Sequence, residues 1–121
     1  MLKVQAKKLG AITVLSIQGQ IVNGETEILR NAVESVSGVR VIRLDLARVT
    51  TVDAGGLGVL LALREEAQTK GIRLELTNIN RQIGRVFEIT RLNTVFQITS
   101  GVELFPGVRH GLRAALTPRA A

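Results

Sequence analysis

One stretch of this sequence stands out as the place where its residue types could do chemistry. Val49-Thr50-Thr51-Val52-Asp53-Ala54-Gly55-Gly56-Leu57-Gly58 carries one carboxylate, two hydroxyls and three glycines. Catalysis needs a nucleophile or a positioned acid/base pair, and Asp53 has no histidine, cysteine or serine beside it in sequence. Asp45 could face the same edge and complete a carboxylate pair, although strand-end aspartates more often cap a helix or brace a loop. Cysteine is absent, which removes disulfides, thiolate nucleophiles and cysteine-ligated metal centres. The single histidine, His110, lies in a basic tail; it takes no role here, and multi-histidine metal sites are excluded. The glycines spell no nucleotide motif: there is no G-x-x-x-x-G-K-[ST], and Gly55-Gly56-x-Gly58 is not G-x-G-x-x-G. The chain therefore reads as a non-enzyme, with no catalytic residue, no metal and no cofactor.

Two readings of the glycine stretch remain open. Gly55-Gly56 can simply make a tight turn. Alternatively, paired glycines at a helix start let a partner's backbone approach closely, where the helix N-terminus also favours anions. The following helix adds a clue. Leu57, Val59, Leu60, Leu61, Ala62 and Leu63 are apolar around most of the circumference, and charge begins only at Arg64. A surface helix needs an apolar stripe of only about 100°. The surplus near Gly58, Val59 and Ala62 is either a second buried side or a docking face. The expected docking set is Asp53, Ala54, Gly55, Gly56, Leu57, Gly58, Val59 and Ala62, with Asn23. Thr50 and Thr51 could accept a modification, but β-prone threonines near a strand end are more often structural.

The elements that must position these residues follow from hydrophobic periodicity. Residues 2–7 alternate as a half-buried strand. Ala11 to Gln18 makes its hairpin partner, with Ile12, Val14 and Ile17 inward, Leu15 facing away and Gly19 ending it. Asn23 caps a first helix with Ile28, Leu29, Ala32, Val33 and Val36 on one stripe, stopped by Gly38. Val39 to Leu46 reads as a central strand buried on both faces. A loop, Ala47 to Gly56, leads to a helix from about Leu57 to Lys70, with Gly71 at its C′ position. Ile72 to Thr77 is a strand. Asn80 caps a third helix carrying Ile83, Val86 and Phe87, Val95 to Ile98 is a short strand, and Gly107 to Leu116 a weaker helix. The order ββαβαβαβα implies an α/β fold, a small mixed but mostly parallel sheet with helices packed against it.

At 121 residues this is one domain by length. Its core spans about residues 2–100, and residues 101–121 supply a C-terminal helix and basic tail. The net charge is +6, yet without Arg109, Arg113 and Arg119 the balance falls to 13 bases against 10 acids. Aromatics are 2%, so the stacking platforms of single-strand binders are missing, and no nucleic acid is expected. No apolar run approaches the roughly 20 residues of a membrane span, and the start of the chain has no signal-like apolar stretch. A soluble cytoplasmic domain without membrane insertion is expected, its oligomeric state open between monomer and weak dimer.

Val41-Ile42-Arg43-Leu44-Asp45-Leu46 followed by Val52-Asp53-Ala54-Gly55-Gly56-Leu57-Gly58-Val59-Leu60-Leu61 resembles the signature of STAS domains. That family includes the anti-sigma factor antagonists and relatives in bacterial regulatory assemblies, sulfate transporters and lipid-transport complexes. Its pattern is a hydrophobic strand, then D-S-S-G-L-G, then an apolar helix. Gly19-Gln20-Ile21 resembles the family's G-E-L, and residues 80–97 resemble its third helix and last strand. The resemblance implies the STAS fold and a protein-binding module of the anti-sigma factor antagonist type. Such a module docks an anti-sigma factor, often an ATP-binding serine kinase, and so frees a sigma factor. The alternative is a scaffold subunit of a signalling assembly or of a membrane lipid or anion transport complex. Three departures matter. Gly55 stands where phosphorylated members carry the acceptor serine, Ala54 where many carry another hydroxyl, and Val22 where an acid often follows G-E-L. The serine-phosphorylation switch is therefore expected to be absent.

Overall fold

A computed structural model describes residues 2–99. Two antiparallel strands open the chain, β1 (Lys3–Leu9) and β2 (Ile12–Ile21). They are closed by a two-residue turn at Gly10-Ala11, with Gly10 at φ 63° and Leu9 paired to Ile12. Then come α1 (Glu27–Glu34), β3 (Val41–Val52), α2 (Ala54–Thr69), β4 (Arg73–Thr77), α3 (Arg81–Ile89), a 3-10 turn at Leu92–Thr94, and β5 (Gln97–Thr99). The sheet order is β1-β2-β3-β4-β5, with every pair after the hairpin parallel. Successive crossovers step in one direction, and right-handed connections of that kind set α1, α2 and α3 on one face. The expected α/β architecture and element order thus hold through β5. The expected 107–116 helix and His110 lie outside the described residues.

The core lies between that sheet face and the helices. Leu15 and Ile17 of β2, Ile42, Leu44, Leu46, Val49 and Val52 of β3, and Leu74 and Leu76 of β4 all point into it. They meet Leu29 and Val33 of α1, Leu57, Val59, Leu60 and Leu63 of α2, and Ile83 and Phe87 of α3. Phe87 sets its ring edge-on to Phe96 at 5.8 Å, which ties α3 to the approach of β5. The other sheet face is polar. There Glu75, 3% exposed, sits between Arg43 Nη2 at 2.9 Å and Arg73 Nε at 2.8 Å.

Several boundaries differ from the sequence reading, each for a physical reason. In β2 it is Leu15 that is fully buried, alternating with Thr13 and Ile17, while Ile12 and Val14 are half-buried on the polar side. Gly19 does not end β2; at φ 118° it lets the strand continue through an irregularity to Ile21. α1 is capped by Thr26, with no side-chain hydrogen bond, so Asn23 is not its cap. Ile28 lies off the apolar stripe and is exposed. The largest difference is β3, which runs on to Val52 through most of the expected loop. Its pairing with β2 shifts register between Ser16 and Gln18 and again between Gly19 and Gln20. Each shift leaves an extra residue on β3, so the inward positions run Leu44, Leu46, Val49, Val52. Spacings of two, then three, then three hide a strand from a period-two test. The strand is also buried on both faces only at its start, since Arg43 and Asp45 are merely half-buried.

Candidate functional site

β2 and β3 end side by side, and the site is what their ends hold. Asp53 Oδ1 accepts from the backbone N–H of Gly56 at 2.7 Å, which makes Asp53 the N-cap of α2. Both of its carboxylate oxygens also accept from the backbone N–H of Asn23 at 3.1 Å. The Asp53 N–H in turn donates to the Ile21 carbonyl at 3.3 Å. One carboxylate therefore caps α2 and staples the exit of β2 to the start of that helix. Four expected site residues, Asn23, Asp53, Gly55 and Gly56, meet in this turn. Hydrogen bonds to the ionised form favour it. The Gly56 amide foremost, then that of Asn23, hold the Asp53 carboxyl below its ordinary value of 3.8 against a small opposing effect of burial.

The two glycines do different work. Gly56 is buried, and a Cβ built on it would land on the Ile21 carbonyl oxygen. It is glycine because the β2 backbone crosses the helix there. Gly55 is half-buried, and a Cβ on it would stand 2.8 Å from Asn23 Cβ. Gly58, one turn on, is exposed with nothing within 4 Å of the same construction. The helical surface divides accordingly. Leu57 and Val59 are packed into the core, so they correct the expected docking face. Ala54 and Gly58 are exposed and Ala62 is half-buried, giving a narrow, small-residue apolar strip without charge between them.

The remaining candidates fall elsewhere. Thr50 and Thr51 lie on β3 rather than in a loop, and the Thr50 hydroxyl donates to the Gly19 carbonyl at 3.3 Å across a register shift. Asp45 does not pair with Asp53. It sits mid-strand and accepts from the Ala47 N–H at 3.0 Å and the Asn78 amide at 3.2 Å, bracing the first irregularity of β3. Asn80 caps α3 through Ile83 N–H at 2.8 Å and donates to the Val49 carbonyl at 3.0 Å, fastening that helix to the distal part of β3. A groove of about 320 Å³ lies on the polar sheet face beside Lys3, Gln18, Asp45 and Arg48, apart from the Asp53 turn. Among the described residues no three histidine, cysteine, aspartate or glutamate side chains cluster to hold a metal, and no helix is long and apolar enough to cross a membrane. The tie between Asn23 and Asp53 was missed in sequence, because it joins residues thirty positions apart with no local signal.

The STAS domain model matches residues 3–109. The chain belongs to the STAS domain family. This STAS domain is 29% identical over 91 residues to a STAS-domain-containing protein of Pseudomonas aeruginosa, covering 74% of this chain and 90% of that one. It is 30% identical over 67 residues to an anti-sigma-B factor antagonist of Staphylococcus aureus, covering 55% of this chain and 62% of the antagonist. In fold it superposes on an anti-sigma factor antagonist from Mycobacterium paratuberculosis with a TM-score of 0.74 at 19% identity, over 90% of this chain and 95% of that one.

Proposed function

We propose that this STAS domain is an anti-sigma factor antagonist that docks its target through the Asp53 turn and the exposed start of α2, without a serine-phosphorylation switch. One observation carries the reading. The turn retains the family's aspartate in a helix-capping geometry, yet presents Ala54 and Gly55 at the two hydroxyl positions, beside an uncharged strip at Ala54, Gly58 and Ala62. The mechanism is competition: occupying the anti-sigma factor, an ATP-binding protein of the serine-kinase type, releases a sigma factor, with no bond made or broken in this chain. The relatives named as anti-sigma-B factor antagonists support this role. Phosphoserine would bring about −2 of charge to an apolar docking face; with no hydroxyl at positions 54 and 55, binding is constitutive.

The test is affinity capture from native bacterial extract with the parent protein and with Gly58→Glu. The parent recovers an anti-sigma factor. Gly58→Glu weakens that complex by more than ~2 kcal/mol, because an unpaired charge enters a desolvated interface. The variant stays folded, since the space beside Gly58 is open. Recovery of a membrane permease with its ATPase instead replaces this reading with a transport-complex subunit. Incubating the pair with ATP leaves the chain unmodified by mass spectrometry; stoichiometric phosphate on Thr50 or Thr51 restores a switch and overturns that part of the proposal.

A further inference from the structure

Position 55 is closed by more than a missing hydroxyl. The backbone of Gly55 lies outside the left-handed region, so no conformational demand requires glycine there. What requires it is a neighbour. A Cβ at position 55 would stand 2.8 Å from Asn23 Cβ and 3.2 Å from both Asn23 Cα and Asn23 Cγ. Non-bonded carbons settle at about 3.5–4.0 Å. Two of the three close atoms, Cα and Cβ, are fixed by the backbone, so turning the Asn23 side chain does not relieve the contact. The backbone itself is held, because the Asn23 N–H donates to both oxygens of Asp53.

Resting on the reading of this turn as the docking site, we propose that Asn23 is a steric block on the acceptor position, and that residues 23 and 55 form one coupled pair of which only one can carry a side chain. The chain is then committed to its unswitched form twice over, by the lost hydroxyl and by the residue that occupies its space. A serine restored at position 55 alone is not accommodated. It must either push the loop around Asn23 outward and break the bonds to Asp53, or strain the first turn of α2. A serine restored together with glycine at position 23 loses the contacts with Cβ and Cγ and keeps only the 3.2 Å approach to the Cα of residue 23, which a shift of a few tenths of an ångström relieves.

The experiment is a double-mutant cycle on the full chain, read by urea unfolding: parent, Gly55→Ser, Asn23→Gly and Asn23→Gly/Gly55→Ser. Gly55→Ser raises the unfolding constant roughly tenfold or more, as overpacking does. Asn23→Gly recovers most of that loss, so the double variant is at least about fivefold more stable than the product of the single effects. If Gly55→Ser does not fold at all, a folded double variant supports the proposal and an unfolded one overturns it. Single effects that multiply to the double effect within twofold also overturn it. The cycle reads folding alone. Its failure leaves the docking reading standing, and failure of Gly58→Glu to weaken capture leaves the cycle standing.

Discussion

Asp53 does two things with one carboxylate, capping α2 and holding the exit of β2, and its protonation state is accordingly tied to folding. It accepts from Gly56 and Asn23, and these amides lower its pKa from the ordinary 3.8. A group whose pKa is lower in the folded state contributes stability that is fully present above its unfolded value. That contribution is lost as pH falls through the folded value. Stability therefore includes an Asp53 contribution above pH 3.8 that fades below it. Asp53→Asn removes this part of the acid limb: urea midpoints measured from pH 6 to pH 2 converge between parent and variant at the low end and separate at the high end. Asparagine remains a good helix cap, so the separation reports chiefly the charge and the link to Asn23. Equal midpoints at every pH would show that the carboxylate is dispensable to the turn.

Helix α2 carries two glycines of opposite consequence two positions apart. Gly56→Ala forces a methyl onto the Ile21 carbonyl and costs about 1–3 kcal/mol or more, as overpacking against a fixed backbone does. Gly58→Ala meets nothing within 4 Å and stabilises the helix by about 0.5–1 kcal/mol. Denaturant unfolding of the two variants checks both signs. Elements were legible from sequence wherever their cues were local. Gly71 closes α2 at φ 74°, and Asn80 caps α3 as its position before Ile83 and Phe87 implies. The distal part of β3 was not legible, because its inward spacing of Leu46, Val49 and Val52 reflects irregular pairing with β2, which no window on β3 alone contains. The inward side of β2 was misjudged for a related reason. Ile12 and Val14 are as apolar as Leu15, so composition could not choose the face, and packing against Leu44 did. At the site, Asp53 and the glycines stood out by type, whereas the place of Asn23 over Gly55 is purely tertiary.

Taken as a whole, the molecule has one face clothed by helices, one polar face, and two sheet edges that differ in kind. Among the described residues β1 forms one edge and exposes Lys3, Lys7 and Lys8; β5 forms the other and is three residues long. Charge and brevity are the two usual ways of keeping unpaired strand edges from joining. Replacing Lys7 and Lys8 with valine raises light scattering on concentration or mild heating, while the native far-ultraviolet spectrum is kept; unchanged scattering would leave the lysines without this role. If the domain acts as proposed, by occupying another protein, it must accumulate at least to the abundance of its target, since mass action sets its effect. Strand edges guarded in this way would favour such accumulation, leaving the ceiling on dose to synthesis and turnover.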